Sequence, residues 1–403
     1  MRILITTIGH YYERPSGSAR IAHDEALELR DRGEDVWMLC AGSPALPEHE
    51  IREGIHLLRY VPSKVSSWRP ARGRVHQEAA RAVLERHLAE ADAIHGHIPL
   101  ATIAALDLYG DRVHASYTIH SPARMEMAIE WRNSGVLRRL MAPVGLVAIN
   151  RIEAECLRRS SVVTALSQYT IDCVRRIHGE VLAEKVSLIP GWADTSRFVP
   201  IEDRGCAKAK LGWPTDVPVL FTLRRLVPRM GLNRLLDASH RLHEEGFNFD
   251  LVIGGDGPMR GELEQQAMSL GLVNSVSFLG KVDDEILPLA YAACDAFVLP
   301  TSELECFGLI ALEALSAGRP VLATPVGAIP EIIRNVDPAW LSRTSEAVDI
   351  ANLLRGFLAG KLPTHSPEEL HEYVCRNYNR EFVLGKFIKA TSGGRRLAAC
   401  RMS

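Results

Sequence analysis

The stretch DAFVLPTSELECFGLIALEALSAGRPVLATP (295–325) decides the fold. Its opening, DAFVLPTS (295–302), is an apolar run suited to a buried strand. ELECFG leads from it into LIALEALSAG (309–318), whose apolar residues suit a packed helix. Gly318 is a helix stop, and RPVLATP (319–325) reads as a returning strand. Strand, loop, helix and strand in this order are one unit of an α/β fold with a parallel sheet.

The same rhythm extends outward in both directions. Upstream, PVLFTL (218–223) and SVSFLG (275–280) read as strands, and FDLVIGGDGP (249–258) as a strand followed by a loop. A helix is expected from about Leu232, and another over GELEQQAMSLG (261–271). A first series begins at the N-terminus with the strand RILITTI (2–8), a helix through SARIAHDEALELRDRG (18–33) and the strand DVWMLC (35–40). ADAIHGH (91–97) and HASYTIH (114–120) are later strands that end in polar residues. The segment around 190–215 is rich in Pro and Gly and marks the hinge between two similar domains. Ligands of open α/β sheets bind outside the carboxyl ends of the strands, so the loops after strands are where chemistry is expected.

Composition narrows the function classes. The chain has 403 residues, enough for two or three domains, with 47% apolar and 24% charged residues. A formal net charge of −2 gives no global attraction to nucleic acid. The eight cysteines are scattered without a Cys-x-x-Cys pair, so a reduced, cytoplasmic setting is expected. LMAPVGLVAI (140–149) is half the length needed to cross a bilayer, about 20 residues. It reads as a core segment, with an interfacial patch as the alternative. KVSSWRPARGR (64–74) mixes Trp68 with basic residues and reads as a solvated loop or a membrane-surface contact.

Four loops carry candidate chemistry. RRLVPRMGLNRLL (224–236) crowds arginines between a strand and a helix N-terminus. It is either an anion cradle or a solvated turn. In ECFGLIALE (305–313) two carboxylates flank Phe307, Gly308 and Leu309. A carboxylate accepts hydrogen bonds from sugar hydroxyls, and Gly308 lets a ligand approach backbone N–H groups. GGDGP (254–258) is followed by no Lys-Ser/Thr and reads as a tight turn rather than a P-loop. PSGSAR (15–20) is either a phosphate approach at Gly17 or a plain helix entry capped by Ser18. His97 and His120 each end a strand. No His-Glu-x-x-His spacing and no Gly-x-Ser-x-Gly elbow is present.

The segment ECFGLIALEALSAGRPVLATPVGAIPEII resembles the motif of glycosyltransferase family 4, in which two glutamates are separated by seven residues. YTIHSP, IPGWADTSRF, RRLVPRMGL, VIGGDGP and SFLGKV fall in the family's order, so the resemblance spans nearly the whole chain. It implies an α/β GT-B fold, with two Rossmann-like domains facing across an interdomain cleft. The implied divisions are an acceptor-binding domain over 1–195, a nucleotide-sugar-binding domain over 196–375, and a C-terminal helix over 376–403 that crosses back. Glu313 would bind ribose hydroxyls and Glu305 the donor-sugar hydroxyls. Phe307, Gly308 and Leu309 would line the sugar and phosphate through their N–H groups. Arg225 would hold the diphosphate, Gly17 would face it from the N-terminal domain, and His120 would lie beside the donor sugar. The backbone at Lys281 and Val282 would contact the base. His120, Glu305 and Arg225 are the implied catalytic residues.

Three positions depart from the pattern. Met230 stands where the family usually has a lysine at the donor site, Ser16 replaces a glycine, and Trp192 replaces the second glycine of a turn. Arg225, helped by Arg224 or Arg229, is expected to compensate for Met230. Trp192 is expected to fill part of the interdomain cleft. The implied reaction is retaining transfer from a nucleotide-diphosphate sugar, itself a substrate, to a small-molecule or glycan hydroxyl, with no metal and no further cofactor. The alternatives are a lipid-linked acceptor at the inner membrane face, a donor-binding protein without transfer activity, and, more weakly, a sugar-nucleotide epimerase.

Overall fold

The computed structural model describes residues 1–14, 16–62, 70–132 and 136–392. KVSSWR and the Arg72 side chain, part of the basic stretch singled out above, lie outside the described residues. The chain divides into two compact units. Met1–Pro190 and the described residues from Val383 onward form the first, and Gly191–Phe382 form the second.

The first unit is built on eight strands: β1 (Arg2–Thr7), β2 (Asp35–Ala41), β3 (His49–Arg52), β4 (Ile55–Tyr60), β5 (Ala93–Gly96), β6 (His114–Ile119), β7 (Val162–Ala165) and β8 (Val186–Leu188). Their order is β3-β4-β2-β1-β5-β6-β7-β8. β1 pairs in parallel with β2 and β5, so its carboxyl end lies where the strand order reverses. β1 is an apolar run whose Ile3, Leu4 and Ile5 are fully buried, as a central strand covered on both faces requires. The sheet departs from an all-parallel one at its edge, where β3 pairs antiparallel with β4. The joining turn is Glu53–Gly54, with φ of 51° and 75°. Two positive φ values make this a hairpin turn whose twist matches the strands. From Val383 onward, Phe387 and Ile388 are fully buried, and the Thr391 carbonyl lies 2.8 Å from His114 Nε2.

Two local expectations are corrected. The helix Gly17–Asp31 is capped by Ser16, not Ser18. Ser16 is extended, and its Oγ accepts from the Ala19 N–H at 3.2 Å. LMAPVGLVAI lies within the helix Val136–Arg159, and only part of it is core. Gly145 packs so closely under Trp131 that a Cβ would meet the ring, while Val144 and Val147 are exposed. Among the described residues, no helix is long and apolar enough to cross a membrane. The seven described cysteines are free thiols.

The second unit is a five-stranded parallel sheet: β9 (Val219–Leu223), β10 (Asp250–Gly254), β11 (Val276–Gly280), β12 (Ala296–Leu299) and β13 (Val321–Ala323), in the order β11-β10-β9-β12-β13. β9 lies between β10 and β12, so the order reverses there. The loops after β9 and β12 therefore flank the crevice in which such sheets hold ligands. The helix Leu309–Ser316 follows β12, and Gly318 (φ 74°) ends it, with Gly318 N–H donating to the Leu315 carbonyl at 2.9 Å.

Candidate active site

The β9 loop separates its arginines. Arg224 is buried, and its Nη2 meets Met230 Sδ at 2.6 Å, Thr301 Oγ1 at 3.0 Å and Glu305 Oε2 at 2.7 Å. Its Nε is buried without a hydrogen-bond partner. Arg229 donates one N–H, from Nη1, to the Leu304 carbonyl at 2.7 Å, bracing the β12 loop. Arg225 is exposed and forms no ion pair among the described residues. Of the two arginines expected to help Arg225, Arg224 is the one that touches both Met230 and Glu305. Arg224 fills the place beside Met230, so a lysine at 230 would bring two cations together.

Glycines allow these loops to interlock. Gly231 has φ of 71°, and a Cβ there would lie 1.9 Å from the Pro300 carbonyl oxygen. No other residue fits that approach. GGDGP supports the arginine loop rather than cradling an anion. Leu226 N–H donates to the Asp256 carbonyl at 3.0 Å, and Met259 N–H to the Leu226 carbonyl at 3.1 Å.

After β12, Glu305 turns towards Arg224, and Gly308 (φ 93°) starts the helix Leu309–Ser316. Free N–H groups at that helix start favour an anion. Phe307 is buried, and Gly191 lies close against the side chains of Phe307 and Leu309. Trp192, its neighbour, is buried within the second unit. Glu313, on the same helix, is buried, and its Oε2 accepts from the Tyr291 hydroxyl at 2.9 Å. Burial, with Glu313 adding to it, pushes the Tyr291 hydroxyl well above the usual range, so it stays a donor. Lys281 (exposed) and Val282 (half-buried) follow β11, beside the β10 loop, where Gly255 N–H donates to the Gly280 carbonyl at 2.7 Å.

In the first unit His120 directly follows β6 and is half-buried, and Gly17 starts the first helix on an exposed turn. Sequence reasoning missed what stands behind His120. His120 Nε2 lies 2.8 Å from His97 Nδ1, and His97 Nε2 lies 2.6 Å from Glu25 Oε2. The other Glu25 oxygen lies 2.6 Å from His95 Nδ1. Glu25 is fully buried. Burial raises its carboxyl, but the two histidines outweigh this and hold it at about 2. It is therefore ionised and accepts only. His97 donates its Nε2–H to Glu25, and its Nδ1 shares one hydrogen with His120 Nε2. Burial first, and His97 second, push His120 well below the usual imidazole range, which keeps it neutral. Glu25 sits mid-helix, where a glutamate reads as surface, and only the buried pattern at 95 and 97 could have hinted at it.

The second unit thus brings together Arg224, Met230, Glu305 and the Gly308 turn, with Glu313 further along the helix. Comparisons with known proteins identify the family and the fold. A profile described as Glycosyl transferases group 1 matches residues 203–376, and one described as Glycosyltransferase Family 4 matches residues 15–197. The GDP-mannose-dependent alpha-(1-6)-phosphatidylinositol monomannoside mannosyltransferase of Mycolicibacterium smegmatis is 32% identical over 48% of this chain and 50% of its own length. The chain thus matches about half of that relative. The phosphatidyl-myo-inositol mannosyltransferase of Mycobacterium leprae is 25% identical over 95% of this chain and 96% of its own. Among solved structures, sucrose-phosphate synthase from Thermosynechococcus elongatus superposes with a TM-score of 0.77 at 21% identity, covering 96% of this chain and 97% of that one. Anabaena HepE in complex with UDP and glucose superposes at 0.75 and 21% identity, covering 97% and 99%.

Proposed function

The chain belongs to glycosyltransferase family 4, and on that premise we propose that it moves a sugar from a nucleotide-diphosphate sugar to an acceptor hydroxyl, with retention at the anomeric carbon. The observation that carries this reading is the Arg224–Glu305 pair at the carboxyl ends of β9 and β12, beside an exposed Arg225 and the Gly308 helix start. These groups suit a diphosphate and a polyol. Arg225 and the N–H groups of Phe307, Gly308 and Leu309 hold the diphosphate. Glu305, fixed by Arg224, accepts from donor-sugar hydroxyls. Glu313, oriented by Tyr291, accepts from ribose hydroxyls, and the backbone at Lys281 and Val282 meets the base. From the first unit, Gly17 is assigned to the diphosphate and His120 to the donor sugar.

In the reaction the bond from the anomeric carbon to the diphosphate oxygen breaks. A bond from the acceptor oxygen to that carbon forms on the same face. The acceptor proton passes to the departing diphosphate. Stabilising that leaving group is the main electrostatic task, and arginine with helix N–H groups performs it without a metal. Support for the donor class comes from a relative named as GDP-mannose-dependent and from a structural neighbour solved with UDP. The test is a thermal-shift panel of UDP- and GDP-sugars in chelator, since a bound donor raises the melting temperature by mass action. A hit is then assayed for transfer, and the product anomer is read by NMR. No stabilising donor, an inverted product, or a released epimerised sugar would sink the reading.

A second reading, a lipid-linked acceptor, is favoured by one observation. Val144 and Val147 are exposed on the helix Val136–Arg159, and two relatives are named for phosphatidylinositol acceptors. Exposed apolar residues on a surface helix suit an interfacial contact. Co-sedimentation with anionic vesicles, lost in a Val144→Glu/Val147→Glu variant, supports it. No co-sedimentation of the unchanged protein removes it.

A further inference from the structure

We propose that His10, His23 and Glu53 form a binding site for a divalent transition metal of the zinc class, which braces the loop between β1 and the first helix. One ligand atom from each residue lies within 4.8 Å of the other two. His10 and His23 are 1% and 3% exposed. Nδ1 of His10 and both ring nitrogens of His23 are buried without a hydrogen-bond partner. Buried polar atoms are almost always satisfied, so an unpartnered nitrogen on each of two adjacent buried rings calls for a ligand. The two rings meet edge to face at 5.2 Å, which aims them at a shared space rather than stacking them. His23 Nε2 and Glu53 Oε2 are 3.5 Å apart, a spacing two ligands of one ion can share.

Glu53 reaches the same space from the β3–β4 turn. It is the first residue of the two-residue turn between β3 and β4, with φ of 51°. That position favours Gly, Asn or Asp, and a glutamate there is strained. The strained residue is the one that carries a carboxylate to His23. The protonation state also suits ligation. Burial first, and the neighbouring His23 second, hold His10 at about 4, while burial lowers His23. Both rings are neutral near pH 7, the form that binds metal. Two imidazoles and one carboxylate, with a position left for water, suit zinc-class ions rather than calcium or magnesium. Occupancy would tie the end of β1, on the route to Ser16 and Gly17, to the β3–β4 turn. A chelated enzyme is expected to keep its transfer activity.

The probe is Co²⁺, added to chelator-stripped protein and followed by its visible absorption. One equivalent should bind with the spectrum of a low-coordinate site, and Zn²⁺ should displace it. Zn²⁺ should also raise the melting temperature. His23→Gln and Glu53→Gln should each weaken Co²⁺ binding at least about 10-fold, since even outer-partner losses reach that size. Glu53→Gln lies on an exposed turn and decides the matter if His23→Gln fails to fold. His87→Gln, in the separate His49, His56 and His87 group, should change nothing. The proposal is overturned if no stoichiometric Co²⁺ spectrum forms, or if Glu53→Gln binds as the unchanged protein does.

Discussion

Arg224→Met separates the two arginines of the β9 loop. Arg224 pairs with Glu305 at 2.7 Å, with side chains 5% and 15% exposed. Removing one partner of a buried pair costs about 3–5 kcal/mol, because the remaining charge stays desolvated. Glu305 keeps some water, so about 3 kcal/mol is expected. Urea unfolding of Arg224→Met, Glu305→Gln and the double variant measures it. The double variant should recover most of the loss of Arg224→Met, since an amide carries no charge to strand. Transfer should fall with Arg224→Met through the freed Glu305, while nucleoside diphosphate affinity changes little. The reasoning fails if Arg224→Met unfolds at the same urea concentration as the unchanged protein, or if Glu305→Gln adds its full cost in the Arg224→Met background.

Met230→Lys should weaken the protein rather than improve donor binding. An ammonium near 4 Å from Arg224 costs up to about 4 kcal/mol at an effective dielectric near 20, partly offset by Glu305; urea unfolding and donor titration read both effects. Glu25→Gln should lower kcat more than it raises KM and change the His120 tautomer balance read by ¹⁵N NMR, a change that a purely structural Glu25 would not produce. Glu313→Gln should weaken nucleotide binding about 10-fold, the size of one charge-assisted hydrogen bond, while Glu305→Gln mainly lowers transfer; calorimetry with kinetics distinguishes them. In chelator, acid should destabilise the protein through His10. Its folded value of about 4 lies below the unfolded 6.5, so its contribution is full above 6.5 and is lost as pH falls towards 4. The loss is at most about 3 kcal/mol, and His10→Gln should flatten that part of the pH–stability curve.

The strands that bear the site were legible because they are apolar runs that end in unusual loops. β9, β12 and β13 lie where PVLFTL, DAFVLPTS and RPVLATP place them. The β3–β4 hairpin was not, because its strands are short, β3 is half exposed, and Glu53–Gly54 lacks the Asn-Gly signal of such turns. Adjacent arginines carry the same chemistry in a sequence. Only the backbone direction at the end of β9 turns Arg224 inward and leaves Arg225 in water. Glu25 and its histidines lie 70 and 72 residues apart, and sequence spacing carries no trace of a contact made by sheet order. The same holds for His10, His23 and Glu53, whose spacing matches no metal motif.

The central claim is that the β9 loop holds a diphosphate through Arg225. Isothermal titration of a nucleoside diphosphate in chelator, against the unchanged protein and Arg225→Ala, tests it most directly. A charge-assisted hydrogen bond contributes about 1.5–3 kcal/mol, so the account predicts affinity lower by about 10- to 100-fold, with the parent nucleoside binding both proteins equally. Equal diphosphate affinity in the two proteins, or binding that appears only with an added divalent ion, would contradict it.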